Sequence, residues 1–162
     1  MSADTSDRLY TVQHMTIVSD KAVGAVHDDL LKVLPKLEAT LVEMLRAGDQ
    51  EQIAEQRNNG PKLWLFETRD HGSLLAADGG PRTLWQFEIG NPLTAETMTR
   101  YSLAAGLYAP LRVVLYEDDN GRAVFEYDLP STLLGQFADE RVTRVAEALD
   151  RDLDEALHQA LR

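Results

Sequence analysis

From Tyr10 to Ser19 the chain alternates. Tyr10, Val12, His14, Thr16 and Val18 fall on one side, and Thr11, Gln13, Met15, Ile17 and Ser19 on the other. A period of two with β-branched residues predicts a strand. The period then lengthens. Val23, Val26, Leu30, Leu31 and Leu34 recur at helical spacing, with Ser19 or Asp20 where a cap belongs. Pro35 ends that helix, because it has a fixed φ and no N–H. Leu37, Leu41, Met44 and Leu45 mark a second helix that stops at Gly48. Asp49 caps a short third helix, Gln50 to Arg57, whose sizeable apolar residue is Ile53. Asn58-Asn59-Gly60-Pro61 breaks the chain.

Leu63 to Phe66 is wholly apolar and predicts a buried strand, followed by a turn at Asp70-His71-Gly72-Ser73 and a loop at Asp78-Gly79-Gly80-Pro81. Thr83 to Ile89 alternates cleanly. Trp85, Phe87 and Ile89 face one way, Gln86 and Glu88 the other. After Gly90-Asn91-Pro92, Thr94 is placed to cap a helix that ends at Gly106, with Met98 and Tyr101 inward. Leu111–Glu117 and Arg122–Asp128 are strands joined by Asp118-Asp119-Asn120-Gly121, a hairpin signal. From Asp139 onward Val142, Val145, Leu149, Leu153, Ala156 and Leu157 describe one long amphipathic helix. The order is strand, three helices, two strands, helix, two strands, helix. That predicts an α+β fold with about five strands in an antiparallel-rich sheet and helices packed mainly on one face. The open face must be polar, covered by the insert helices, or paired with another subunit.

Composition changes this picture mainly by exclusion. The chain has 162 residues, 44% of them apolar and 27% charged, which fits a single folded domain over 1–162. Cysteine is absent, so disulfides, thiolate nucleophiles and cysteine-ligated metals are excluded. A formal charge of −11 repels phosphate backbones and anionic lipid, so neither nucleic acid nor a membrane is expected as a partner. No apolar run approaches the roughly 20 residues of a bilayer span. The acidic start, MSADTSDRLY, lacks the apolar core of a signal peptide, and a cytoplasmic location is expected.

Four pieces stand in a telling order: Asp70-His71-Gly72, then Phe87-Glu88-Ile89-Gly90-Asn91-Pro92, then Ala105-Gly106-Leu107-Tyr108-Ala109-Pro110-Leu111-Arg112-Val113, then Tyr127-Asp128-Leu129-Pro130-Ser131. Together they resemble the domain-of-unknown-function 302 family, with a family-like core over about 63–136. The helical stretch at about 36–59 departs from the family's short form, and the last helix covers about 139–161. The resemblance implies a TATA-binding-protein-like fold, β-α-β(4)-α, and a homodimer. It implies no agreed activity, and the fold does not carry DNA binding to an acidic chain.

Asp70-His71 follows a strand end, where functional loops are usually placed. A carboxylate beside a His can fix its tautomer or raise its pKa. The plainer alternative is an Asp turn residue and a His bonded to backbone. Asn91 can turn the chain or present its amide to a ligand. Tyr101, Tyr108, Tyr116 and Tyr127 could line a pocket or form the core's edge. Arg112 can take an acidic ligand, or pair with Glu88 or Glu126. Glu67 and Glu88 are two carboxylates late in their strands. The histidines are scattered, Asp154 and His158 read as a solvated pair, and neither a metal nor a cofactor is expected. The expected function is a binding module for a small organic ligand in a sheet–helix pocket around Asp70 and His71. Asn91, Tyr108, Arg112, Trp85 and Glu88 are its further candidates. The rival readings are a cofactor-free isomerase, cyclase or lyase with His71 as acid–base and Asp70 orienting it, and a structural or protein-partner module.

Overall fold

A computed structural model describes residues 3–79 and 82–162. Gly80 and Pro81 of the expected loop lie outside the described residues. Five strands form one sheet: β1 (His14–Ser19), β2 (Trp64–Asp70), β3 (Leu84–Gly90), β4 (Leu111–Glu117) and β5 (Ala123–Asp128). Their order is β1-β5-β4-β3-β2, and every neighbouring pair is antiparallel. The first strand thus lies beside the last, and the β4–β5 hairpin sits in the interior. The fold is α+β, as the periodicities predict.

One face of the sheet is the core. Ile17, Trp85, Phe87, Ile89, Val113, Leu115, Phe125 and Tyr127 point into it, buried or nearly so. Two helices close it, α1 (Val23–Val33) and α7 (Glu140–Ala160). α7 buries Val142, Ala146, Leu149, Leu153, Ala156, Leu157 and Ala160, one stripe of a 21-residue helix. Asp139 caps it by accepting from the Arg141 amide at 2.9 Å. Leu31, expected on the buried face of α1, is 40% exposed instead.

Where the chain departs from the expected elements, long-range pairing is the cause. Alternation starts at Tyr10, but β1 starts at His14, which pairs with Asp128. Beyond Asp128, β5 gives way at Pro130 to α6 (Pro130–Leu134). Residues 10–13 therefore have no strand to pair with. Gln13 instead bonds α6 through its amide to Thr132 Oγ1, 3.1 Å, and its carbonyl takes the Leu129 N–H. β2 is longer than the apolar run and buries Leu65 alone, because it is an edge strand with an irregularity between Leu65 and Glu67. Its outer side is partly covered by Pro35–Leu37. Leu65 donates to the Pro35 carbonyl and accepts from Leu37 N, both 2.9 Å.

The expected turn after β2 is a helix, α4 (Gly72–Gly79), with Asp70 at its head. The helix expected from Thr94 starts earlier. Asn91 caps α5 (Pro92–Thr99), Pro92 takes the first turn, and a separate 3₁₀ turn covers Leu103–Tyr108. The insert forms α2 (Ala39–Arg46) and α3 (Gln50–Asn59), joined through Gly48 at φ 75°, with no buried residue in either. In the hairpin turn Gly121 takes φ 77°, and the Asp118 carboxylate accepts from Asn120 N and Arg122 N, both 2.9 Å. No helix among the described residues is long and apolar enough to cross a membrane.

Candidate functional site

The sheet separates the residues expected to share one pocket. Trp64 pairs with Gly90 at one end of β2–β3, and Asp70 pairs with Trp85 at the other. Six residues of strand, roughly 20 Å, lie between Asn91 and the Asp70-His71 step. These groups do not meet.

At the far end Asp70 is a capping residue. Its carboxylate accepts from Ser73 N at 2.9 Å and its carbonyl accepts from Ser73 Oγ at 3.2 Å. The His71 amide donates to the Leu84 carbonyl at 3.0 Å, and no side-chain hydrogen bond among the described residues joins Asp70 to His71. Trp85 packs under His27 of α1, ring centroids 4.3 Å apart. Glu88 points to the open face and is bound by Arg69 at 2.6 Å. Arg69 also contacts Glu67 at 3.0 Å. The two carboxylates do share a face, but a guanidinium holds them.

At the near end Asn91 uses its whole amide. Its oxygen accepts from Leu93 N at 2.9 Å and Thr94 N at 3.4 Å, and its nitrogen donates to the carbonyls of Pro61 and Lys62, each at 3.2 Å. The cap and the tie to the preceding loop shape an apolar cavity of about 80 Å³. Phe66, Met98, Tyr108, Leu111 and Leu149 wall it, and Asn91 to Ala95 run along its rim.

A second cavity, about 90 Å³, shares Tyr108, Pro110 and Leu111 with the first and adds Arg112, Asp128 and Leu133. Arg112 pairs with neither expected partner. Arg69 takes Glu88, while Glu126 accepts from Tyr116 Oη at 2.7 Å and meets His14 Nε2 at 3.3 Å. His14 Nδ1 lies 2.8 Å from Asp128 Oδ1. First Asp128 and then Glu126 raise the His14 pKa by stabilising the imidazolium. The Tyr108 and Tyr10 hydroxyls are 2.5 Å apart. Tyr10 holds the Tyr108 phenol below its ordinary pKa, with Gln136 and the Arg112 charge adding to the effect, and Tyr10 itself is raised.

His14, Asp128, Glu126 and Tyr10 were not legible as site residues. The signal lay in a titratable residue at the start of β1 and another at the end of β5, and it acquires meaning only once those strands are antiparallel neighbours. Of the other tyrosines, Tyr101 lies under the Arg141 guanidinium at 3.8 Å, and Tyr127 is in the core. His158 Nδ1 bonds the Asp154 carbonyl at 2.9 Å. No group of three or more His, Cys, Asp or Glu among the described residues is placed to hold a metal ion.

An open antiparallel sheet, closed on one face by a long C-terminal helix and reached through a Gly-Asn-Pro cap, defines the class of this domain. The family model described as domain of unknown function DUF302 matches residues 52–160, and the chain belongs to that family. The match takes in α7, well beyond the quoted motifs. The chain is also similar to the crystal structure of an uncharacterized conserved DUF302 protein from Bacillus stearothermophilus. The identity is 17%, covering 91% of this chain and 97% of that one, with a TM-score of 0.66. At that identity the likeness concerns the fold alone. No curated protein matches the chain.

Proposed function

We propose that this domain is a binding module for a small organic ligand, seated in the apolar cavity behind the Asn91 cap. The observation that carries this reading is the cavity's wall. Phe66, Met98, Leu111 and Leu149 come from four separate elements and leave space among them, whereas protein interiors otherwise pack to crystal density. An apolar cavity of about 150 Å³ takes benzene. One about half that size suits a branched alkyl group of a few carbons. Tyr108 supplies an amphipathic gatepost, with its ring on the apolar side and its hydroxyl toward Tyr10.

This location replaces the Asp70-His71 pocket as the ligand's seat, because Asp70 is spent on capping α4 and does not bond the His71 ring. The test is an NMR screen of isobutanol, tert-butanol and isobutyrate against the full chain. Binding should move resonances of Ala95, Met98 and Tyr108, and Ala95→Phe, which fills the space, should abolish the shifts. Shifts centred on His71, or shifts that survive Ala95→Phe, would overturn the reading.

A further inference from the structure

Among the described residues, the charged groups on the open face of the sheet are paired with one another, Arg112 excepted. His14, Glu126 and Asp128 are bonded together, and so are Glu67, Arg69 and Glu88. Arg112 lies among them on β4, opposite Glu88 in register, yet it makes no ion pair among the described residues because Arg69 holds Glu88. The residue is exposed. Here it faces a cavity of about 90 Å³ with Asp128 as a further wall. The two charges line the same space without reaching each other. Asp128 spends Oδ1 on His14, while its other oxygen has no hydrogen-bond partner among the described residues. The remaining walls, Tyr108, Pro110, Leu111 and Leu133, are largely apolar.

We propose that this polar cavity is a second site, for a small carboxylate that carries its own hydrogen-bond donor, namely an α-amino or α-hydroxy acid. Arg112 takes the carboxylate in its fork, and the free oxygen of Asp128 accepts from the ammonium or hydroxyl. The side chain of the acid lies against Pro110 and Leu133. The volume is about three waters' share of liquid, which is the bulk of a three-carbon acid. Asp128 also sets the selectivity. Its negative charge, offset in part by His14, opposes a dianion such as phosphate and favours a ligand with a donor beside its carboxylate.

The experiment is calorimetry or NMR titration of the full chain with alanine, lactate, propionate, ethylamine and inorganic phosphate. Alanine and lactate should bind about tenfold more tightly than propionate, which lacks the donor, and than ethylamine, which lacks the carboxylate. Arg112→Gln should weaken both acids by about tenfold, and Arg112→Lys should recover part of the loss. Asp128→Asn should bind propionate at least as tightly as wild type and remove the advantage of alanine over it. Arg112 and Asp128 are exposed, so their variants keep the fold. Ala95→Phe should leave this site intact, which separates it from the apolar cavity. Equal affinity across the set, phosphate as the tightest ligand, insensitivity to Arg112→Gln, or no binding at tens of millimolar would each overturn the proposal.

Discussion

Asn91 joins the fold to the cavity, and its two halves can be tested apart. The oxygen caps α5 by accepting from Leu93 N and Thr94 N, and the nitrogen ties the loop at Pro61 and Lys62. Loss of an N-cap costs about 0.5–2 kcal/mol. Each amide-to-carbonyl bond contributes roughly 0.5–1.5 kcal/mol net, with the lower end fitting 3.2 Å bonds that are partly solvated. Asn91→Ala removes all of these and should cost about 2–3 kcal/mol. Asn91→Asp keeps the cap and gains a little from the helix dipole. It also sets a carboxylate against the two carbonyls, for a net loss of about 1–2 kcal/mol. Asn91→Ser keeps a cap and loses the tie, and should fall beside Asp. In a chain of this size 1 kcal/mol moves Tm by about 2–4 °C. Alanine should therefore melt roughly 5–10 °C early, with Asp and Ser between it and wild type. Urea denaturation with an unchanged m value would show that the native state alone is affected. The reasoning fails if Asn91→Asp equals or exceeds wild type, since the tie to residues 61 and 62 would then contribute nothing.

Two further predictions concern backbone and charge. A Cβ at Gly72 would overlap the Arg82 carbonyl oxygen and stand 2.8 Å from Leu84 N, so Gly72→Ala should cost about 1–3 kcal/mol. Gly24, in the first turn of α1 with nothing within 4 Å of an added Cβ, should instead gain about 0.4–1 kcal/mol as Ala, and thermal melts of the two variants should move in opposite directions. His14 has its pKa raised by Asp128 and Glu126. The stability it supplies is complete below the unfolded value of about 6.5 and fades as pH climbs through the higher folded value. With 56% of its side chain exposed, solvent screening holds the effect to about 1 kcal/mol at most. Denaturant midpoints at about pH 5.5 and about pH 8.5 should differ more for wild type than for His14→Gln, and parallel pH dependence in the two would refute the assignment.

Much of this architecture was written locally. The period-two run of β3, the stripe of α7, the Asn120-Gly121 turn and the cap at Asp49 are interactions within a few residues, and each formed where the sequence put it. Boundaries failed where a distant partner decided them. β1 is cut at His14 because β5 ends opposite it, and β2 runs past its apolar letters because β3 pairs along its length. The head of α5 was misplaced by three residues because Thr94 and Asn91 are both competent caps, and only Asn91 can also reach Pro61 and Lys62.

The chemistry followed the same division. Residue type alone marked Asn91, Tyr108 and Arg112 as candidates, and these three stand around the two adjoining cavities. Adjacency in sequence suggested Asp70 with His71, yet neighbours on a strand point apart, and the helix that follows took the carboxylate for its own N-terminus. The tertiary structure brought His14 to Asp128 across 114 residues and left Arg112 without an ion pair among the described residues. No local pattern encodes that arrangement. Charge pairing across a sheet depends on register, and burial of the opposite face sets the register. The sequence determined most of the segments that are strands and helices, because side-chain periodicity and backbone capping are short-range. Only the packed sheet decided which polar groups meet.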